Sequence, residues 1–260
     1  SIIFVVFHHL TINYSEGLIG KIYTYFHYFG AVGVDIFLFL SAIGLYYSFS
    51  KDENILTFYK RRLLRIFPTF LIIVVPWFYY YDIWVKGNYA WFFGLITSIG
   101  YWFKGAGDWF ISAIILLYLL YPILYKYLYD KVILAEQLNN ECNIYQNNKY
   151  SYLIILSLYG IFVLYLRYFF PDYYEALGQS LARFPIFVVG MFASPYIKSD
   201  FALPLKKTRI ISFIILVVSM FCFGVLALKG KEYAYSYYGR YCFFPMSLAI
   251  IIIVSSFYKN

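Results

Sequence analysis

Two imidazoles, His8 and His9, stand inside the apolar run 1–12. An ionisable side chain is costly at membrane depth, so an intramembrane histidine is a functional candidate by default. Imidazole takes up a proton near neutral pH, which suits it to act as general base toward a hydroxyl. A hydrogen-bonded packing histidine, or an interfacial one near a helix end, is the competing reading. Neighbours on a helix point roughly 100° apart, so the two do not share one role.

The second group is basic. Lys60, Arg61, Arg62 and Arg65 precede Ile66-Phe67-Pro68. Arg62 and Arg65, spaced i and i+3, share a helical face if the helix begins before them, and paired guanidiniums hold a phosphate in a bidentate way. The alternative is a cluster that anchors a helix at anionic headgroups. Asp35, within Gly33-Val34-Asp35-Ile36-Phe37, needs a partner if it is buried, and a first-helix histidine or an arginine would serve. Holding helices together is its other reading. Arg183 has the same two readings, with interfacial anchoring the plainer one. His27 reads as a surface histidine.

Several chemistries lack their signature. GxxxxGK[ST], GxSxG and HExxH are absent, which argues against an ATP-driven pump, a serine hydrolase and a zinc protease. No histidine has an aspartate five residues on, as soluble glycerolipid acyltransferases require. Cys142, Cys222 and Cys242 are scattered without CxxC spacing, so no metal site is expected.

A membrane fold must position these groups. Of 260 residues, 63% are hydrophobic and 13% charged, against about 45–50% and about 25% in soluble domains. That excludes a water-soluble globule and a disordered chain. The 32 Tyr, 28 Phe and 5 Trp suit membrane interfaces. The net charge of +8 lies in short clusters between apolar runs, so nucleic acid is not an expected partner.

Those runs fall at 1–12, 29–49, 66–84, 109–129, 152–170, 184–197, 210–228 and 241–258. Backbone in lipid must satisfy its own hydrogen bonds, so the runs predict helices, and none shows the period-two polarity of a barrel strand. The expected fold is all-α: a polytopic transmembrane helix bundle of about eight helices, forming one domain over 1–260. Both ends read as truncated, because residue 1 is Ser and the first run is shorter than the ~20 residues a span needs. Segment 89–103 is short and holds two glycines. Treating it as re-entrant or interfacial keeps the basic loops after the second and sixth helices on the cytoplasmic side. The polar stretch 131–149 reads as a solvated cytoplasmic connection. No repeat period stands out, so the inverted repeat of many transporters is not supported.

Read together, five segments resemble the acyltransferase 3 family of bacterial membrane acyltransferases. They are Phe4-Val5-Val6-Phe7-His8-His9; Gly33-Val34-Asp35-Ile36-Phe37-Leu38-Phe39-Leu40-Ser41; Phe58-Tyr59-Lys60-Arg61-Arg62-Leu63-Leu64-Arg65-Ile66-Phe67-Pro68; Trp109-Phe110-Ile111 with Leu117-Tyr118-Leu119-Leu120-Tyr121-Pro122; and Arg183-Phe184-Pro185-Ile186-Phe187 through Gly190. They keep the family's order over 1–190. The resemblance implies a multi-pass enzyme of the bacterial cytoplasmic (inner) membrane. Such an enzyme moves an acyl group, usually acetyl, from cytoplasmic acyl-CoA to a sugar hydroxyl of a surface or exopolysaccharide. It carries the catalytic histidine to His8, with His9 second, and the RxxR pair to Arg62 and Arg65, with Arg61 beside them. Two departures stand out: Ser41-Ala42 replaces the family's Ser-Gly, and a late Gly-x-x-Ser-Leu segment with its final helix is missing.

The expected mechanism holds the CoA phosphates on Arg62 and Arg65, with His8 as general base on the acceptor hydroxyl and Asp35 and Arg183 in support. The expected partners are acetyl-CoA or another acyl-CoA as donor, a glycan acceptor and membrane lipids, with no metal. Tyr79 to Tyr81 and Tyr101-Trp102 are candidates to stack on sugar faces, or equally to anchor at the interface. The rival reading is a flippase or transporter for a lipid-linked glycan or small solute, with His8, Asp35 and Arg62 along its path.

Overall fold

The computed structural model describes Ile3 and residues 30–105, 107–137, 141–198, 205–229 and 237–258. Among them there is no strand, and seven helices are long and apolar enough to cross a membrane. The all-α expectation therefore holds. The first expected helix, with His8 and His9, and His27 beyond it lie outside the described residues.

In order, α1 is Ala31–Phe49 and α2 is Ile55–Val85; the short helices α3 (Tyr89–Ile96) and α4 (Ile99–Lys104) follow. Then come α5 (Trp109–Gln137), α6 (Glu141–Phe169), α7 (Pro171–Leu181), α8 (Phe184–Lys198), α9 (Leu205–Lys229) and α10 (Tyr237–Tyr258). The described residues group into two compact units, one up to Leu45 and again from Ala182, the other Tyr46–Leu181.

Three boundaries differ from the sequence expectation. The third helix begins at Ile55, not 66, because Asn54 caps it: its side chain accepts the Thr57 N–H at 3.0 Å. The basic segment is thus helical. In 131–149, α5 runs on to Gln137 and α6 starts at Glu141. Polarity there marks a change of solvent, while Ala, Glu, Gln and Leu still favour helix. Residues 171–181, expected as a loop, form α7, with Pro171 at its start and Asp172 in its first turn, both favourable at a helix N-terminus.

Segment 89–103 is broken, as expected of a stretch that does not span. Ser98 takes a left-handed backbone (φ 59°), and α3 and α4 meet so closely that a β-carbon on Gly100 would lie 3.0 Å from the Gly94 carbonyl oxygen. In the same unit, Tyr101 is buried and its hydroxyl accepts from Ser180 of α7 at 2.8 Å. Tyr173 donates to the Trp102 carbonyl. Tyr101 therefore docks one helix on another and is not displayed for a sugar. Tyr79, Tyr80 and Tyr81 are exposed.

α2 winds irregularly. Pro76 has no N–H to offer the Ile72 carbonyl and its ring crowds that oxygen. The chain answers with a wide turn over Phe70–Val74, in which the Val75 N–H reaches back to Phe70 O. A second wide stretch covers Tyr79–Val85.

In the first unit, α1, α9 and α10 bury Val32, Ile36, Phe223, Phe243 and Met246 against one another. α8 meets α1 at Gly190, where a β-carbon would lie 2.7 Å from the Phe39 carbonyl oxygen and 2.9 Å from Ala42 Cβ. With Ser194 four residues on, this is the small-residue seam that lets membrane helices touch backbone to backbone. Ala42 of α1 thus faces a glycine on the neighbouring helix. Gly190→Ala is expected to cost about 1–3 kcal/mol, the range for overpacking, read as a lower thermal midpoint in detergent. An unchanged midpoint would show that the seam opens freely.

Candidate functional site

Two groups of charges are held within the helices, each in its own unit. In the first unit, Arg183 immediately precedes α8 and reaches Asp35 of α1. Its Nη1 lies 3.1 Å from Oδ1 and donates to Oδ2 at 3.3 Å. Both side chains are 1% exposed. The guanidinium also lies over the Phe243 ring of α10, 5.6 Å from its centroid. So Asp35 takes an arginine partner, and Arg183 is an interior group, not the interfacial anchor that seemed the plainer reading. An ion pair so deeply buried is held by coulombic attraction at low dielectric and needs both members.

In the second unit, the capped start of α2 carries Arg61, Arg62 and Arg65 into one helix, which meets the condition their spacing required. They do not share an environment. Arg61 is exposed and pairs with Asp52 at 3.2 Å, a surface pair worth little. Arg65 is exposed. Arg62 is 8% exposed. Its guanidinium lies 5.5 Å from the Phe58 ring centroid and 5.8 Å from that of Tyr118 on α5. Its Nε has no hydrogen-bond partner, and among the described residues no carboxylate comes within ion-pair distance of it.

The surroundings of Arg62 are packed with aromatic rings. Phe58 stacks on Tyr121 at 5.7 Å and meets Phe49 edge-on at 5.2 Å. Tyr121, Tyr125 and Tyr129, one turn apart on α5, are all buried. Phe49 and Tyr46 of the last turn of α1 pack on Tyr125 and Tyr129 at 4.8 and 4.9 Å. Tyr59 donates to the Leu119 carbonyl at 2.9 Å, tying α2 to α5. Sequence reasoning missed these tyrosines as a group, although their i, i+4 spacing is visible, and it passed over Arg240, which is also buried. Among the described residues no cluster of His, Cys, Asp or Glu is arranged to hold a metal ion.

Seven bilayer-length helices with charges kept inside them define a multi-pass membrane protein. Chemistry is added by the family: the model described as an acyltransferase domain matches residues 1–260, and the chain belongs to the acyltransferase 3 family. It is a membrane acyltransferase. No curated protein and no solved structure matches it.

Proposed function

We propose that this enzyme moves an acyl group, acetyl in the first place, from cytoplasmic acyl-CoA to a sugar hydroxyl of a surface or exopolysaccharide, in the cytoplasmic membrane of a bacterium. The observation that carries the proposal is Arg62, a buried guanidinium without a counter-anion among the described residues. An unpaired buried charge is costly, and an anionic ligand arriving there recovers that cost. CoA brings phosphates, and Arg65, three residues on and exposed, adds a second guanidinium.

In the reaction, His8 takes the proton of the acceptor hydroxyl as that oxygen attacks the thioester carbonyl. The carbon–sulfur bond breaks, the CoA thiolate leaves, and the proton passes to its sulfur. His9 is the second choice for this base. Asp35 and Arg183 support the helices and take no part in the proton transfer. The membrane lipids and the glycan complete the expected partners. A flippase or transporter would use the same charges along a path, but membership of an acyltransferase family favours group transfer.

The test is acyl-CoA binding by the full chain in detergent. Arg62→Ala combined with Arg65→Ala should weaken it about tenfold or more, as expected for lost charge-assisted bonds, whereas Lys51→Ala and Lys60→Ala should leave it nearly unchanged. Equal losses at all four positions would return the cluster to the role of headgroup anchor. Label from acetyl-CoA appearing in the glycan of membrane vesicles would support the acceptor side, and label in no carbohydrate would remove it.

A further inference from the structure

Tyr118 belongs to neither of the roles assigned above, yet its ring lies against Arg62 where α2 meets α5. Its ring centroid lies 5.8 Å from the Arg62 guanidinium, which also lies 5.5 Å from that of Phe58. Its phenol is within electrostatic reach of both Arg62 and Arg65. The hydroxyl makes no hydrogen bond with the described residues, unlike that of Tyr59 one turn of contacts away, which is taken up by Leu119 O. The side chain is half-buried. The Tyr59 bond and the stacking of Phe58 on Tyr121 fix α2 against α5 and hold the ring in place.

We infer that Tyr118 is the third member of the anion site: its ring positions the Arg62 guanidinium, and its hydroxyl donates to the same phosphate that Arg62 and Arg65 hold. A phenol donor added to two guanidiniums three residues apart suits a tetrahedral anion, which offers several oxygens, better than a planar carboxylate. The site is thus one for a phosphorylated ligand. Naming that ligand acyl-CoA rests on the function proposed above.

The experiment titrates the full chain in detergent with CoA and, separately, with inorganic pyrophosphate, for wild type, Tyr118→Phe and Tyr118→Leu. Tyr118→Phe keeps the ring, so its thermal midpoint should stay at the wild-type value while both probes bind about tenfold more weakly, the size of one hydrogen bond to a charged group. Tyr118→Leu removes the ring as well and should lose more. A purely structural tyrosine would show the opposite pattern, a shifted midpoint with wild-type affinity in Tyr118→Phe. Wild-type affinity of Tyr118→Phe for both probes overturns the inference and leaves the acyl-CoA reading intact. Pyrophosphate binding that depends on the hydroxyl, with no CoA binding, upholds Tyr118 and overturns CoA as the ligand. If neither probe binds the wild type, both fall.

Discussion

Asp35→Ala is expected to destabilise the protein by about 3–5 kcal/mol, the range for removing one partner of a buried ion pair. The substitution leaves the Arg183 charge facing the Phe243 ring in a place where both side chains are 1% exposed. Arg183→Ala strands the carboxylate instead and should cost a similar amount. Asp35→Leu combined with Arg183→Met replaces both charges with apolar groups, and such replacements are often neutral or stabilising. The double variant should therefore unfold near the wild-type temperature, while each alanine variant unfolds well below it. If the double variant is worse than either single one, the pair does more than balance charge. Thermal unfolding in detergent followed by size exclusion reads all four proteins. If α1 and α8 are held chiefly by the Gly190 seam, the single variants will retain the wild-type midpoint.

His8→Ala should abolish acyl transfer, with a loss of about 10²–10⁴-fold, the usual contribution of a positioned general acid or base. Membrane insertion and thermal midpoint should stay unchanged, since one imidazole contributes little to a run of sequence that is otherwise apolar. Mass spectrometry of the surface glycan, with and without the variant, gives the readout. His9→Ala is the comparison, because neighbouring residues of any helix point roughly 100° apart and would not share one role. Loss in His9→Ala with retention in His8→Ala moves the role to His9. Retention in both takes the histidines out of the mechanism.

The long helices were legible because lipid leaves the backbone no other partner, so bilayer-length apolar runs have one solution. Their ends were less so. At Ile55 the helix starts under a side-chain cap and runs through a basic segment that hydropathy reads as loop. Up to Gln137 another helix continues past the apolar run into a polar stretch that hydropathy reads as connection. The partner of Asp35 was one of several candidates because a pair 148 residues apart leaves no local pattern. The differing fates of Arg62 and Arg65 were hidden as well. Spacing puts both on one stripe, but only contact with α5 decides which is covered. Tyr118 stood within one of the segments that carry the family resemblance, but in a chain with 32 tyrosines and 28 phenylalanines nothing marked it as a partner of Arg62.

The wide turns of α2 carry a practical consequence for anyone mapping its faces by substitution. Each holds more residues per revolution than ordinary winding, so the phase set by Phe58 and Arg62 slips at Phe70–Val74 and again at Tyr79–Val85. A scan whose sensitive positions recur every three or four residues up to Thr69 will fall out of step beyond it. The tyrosines at the far end must then be assigned to sides afresh, without counting forward from the arginines.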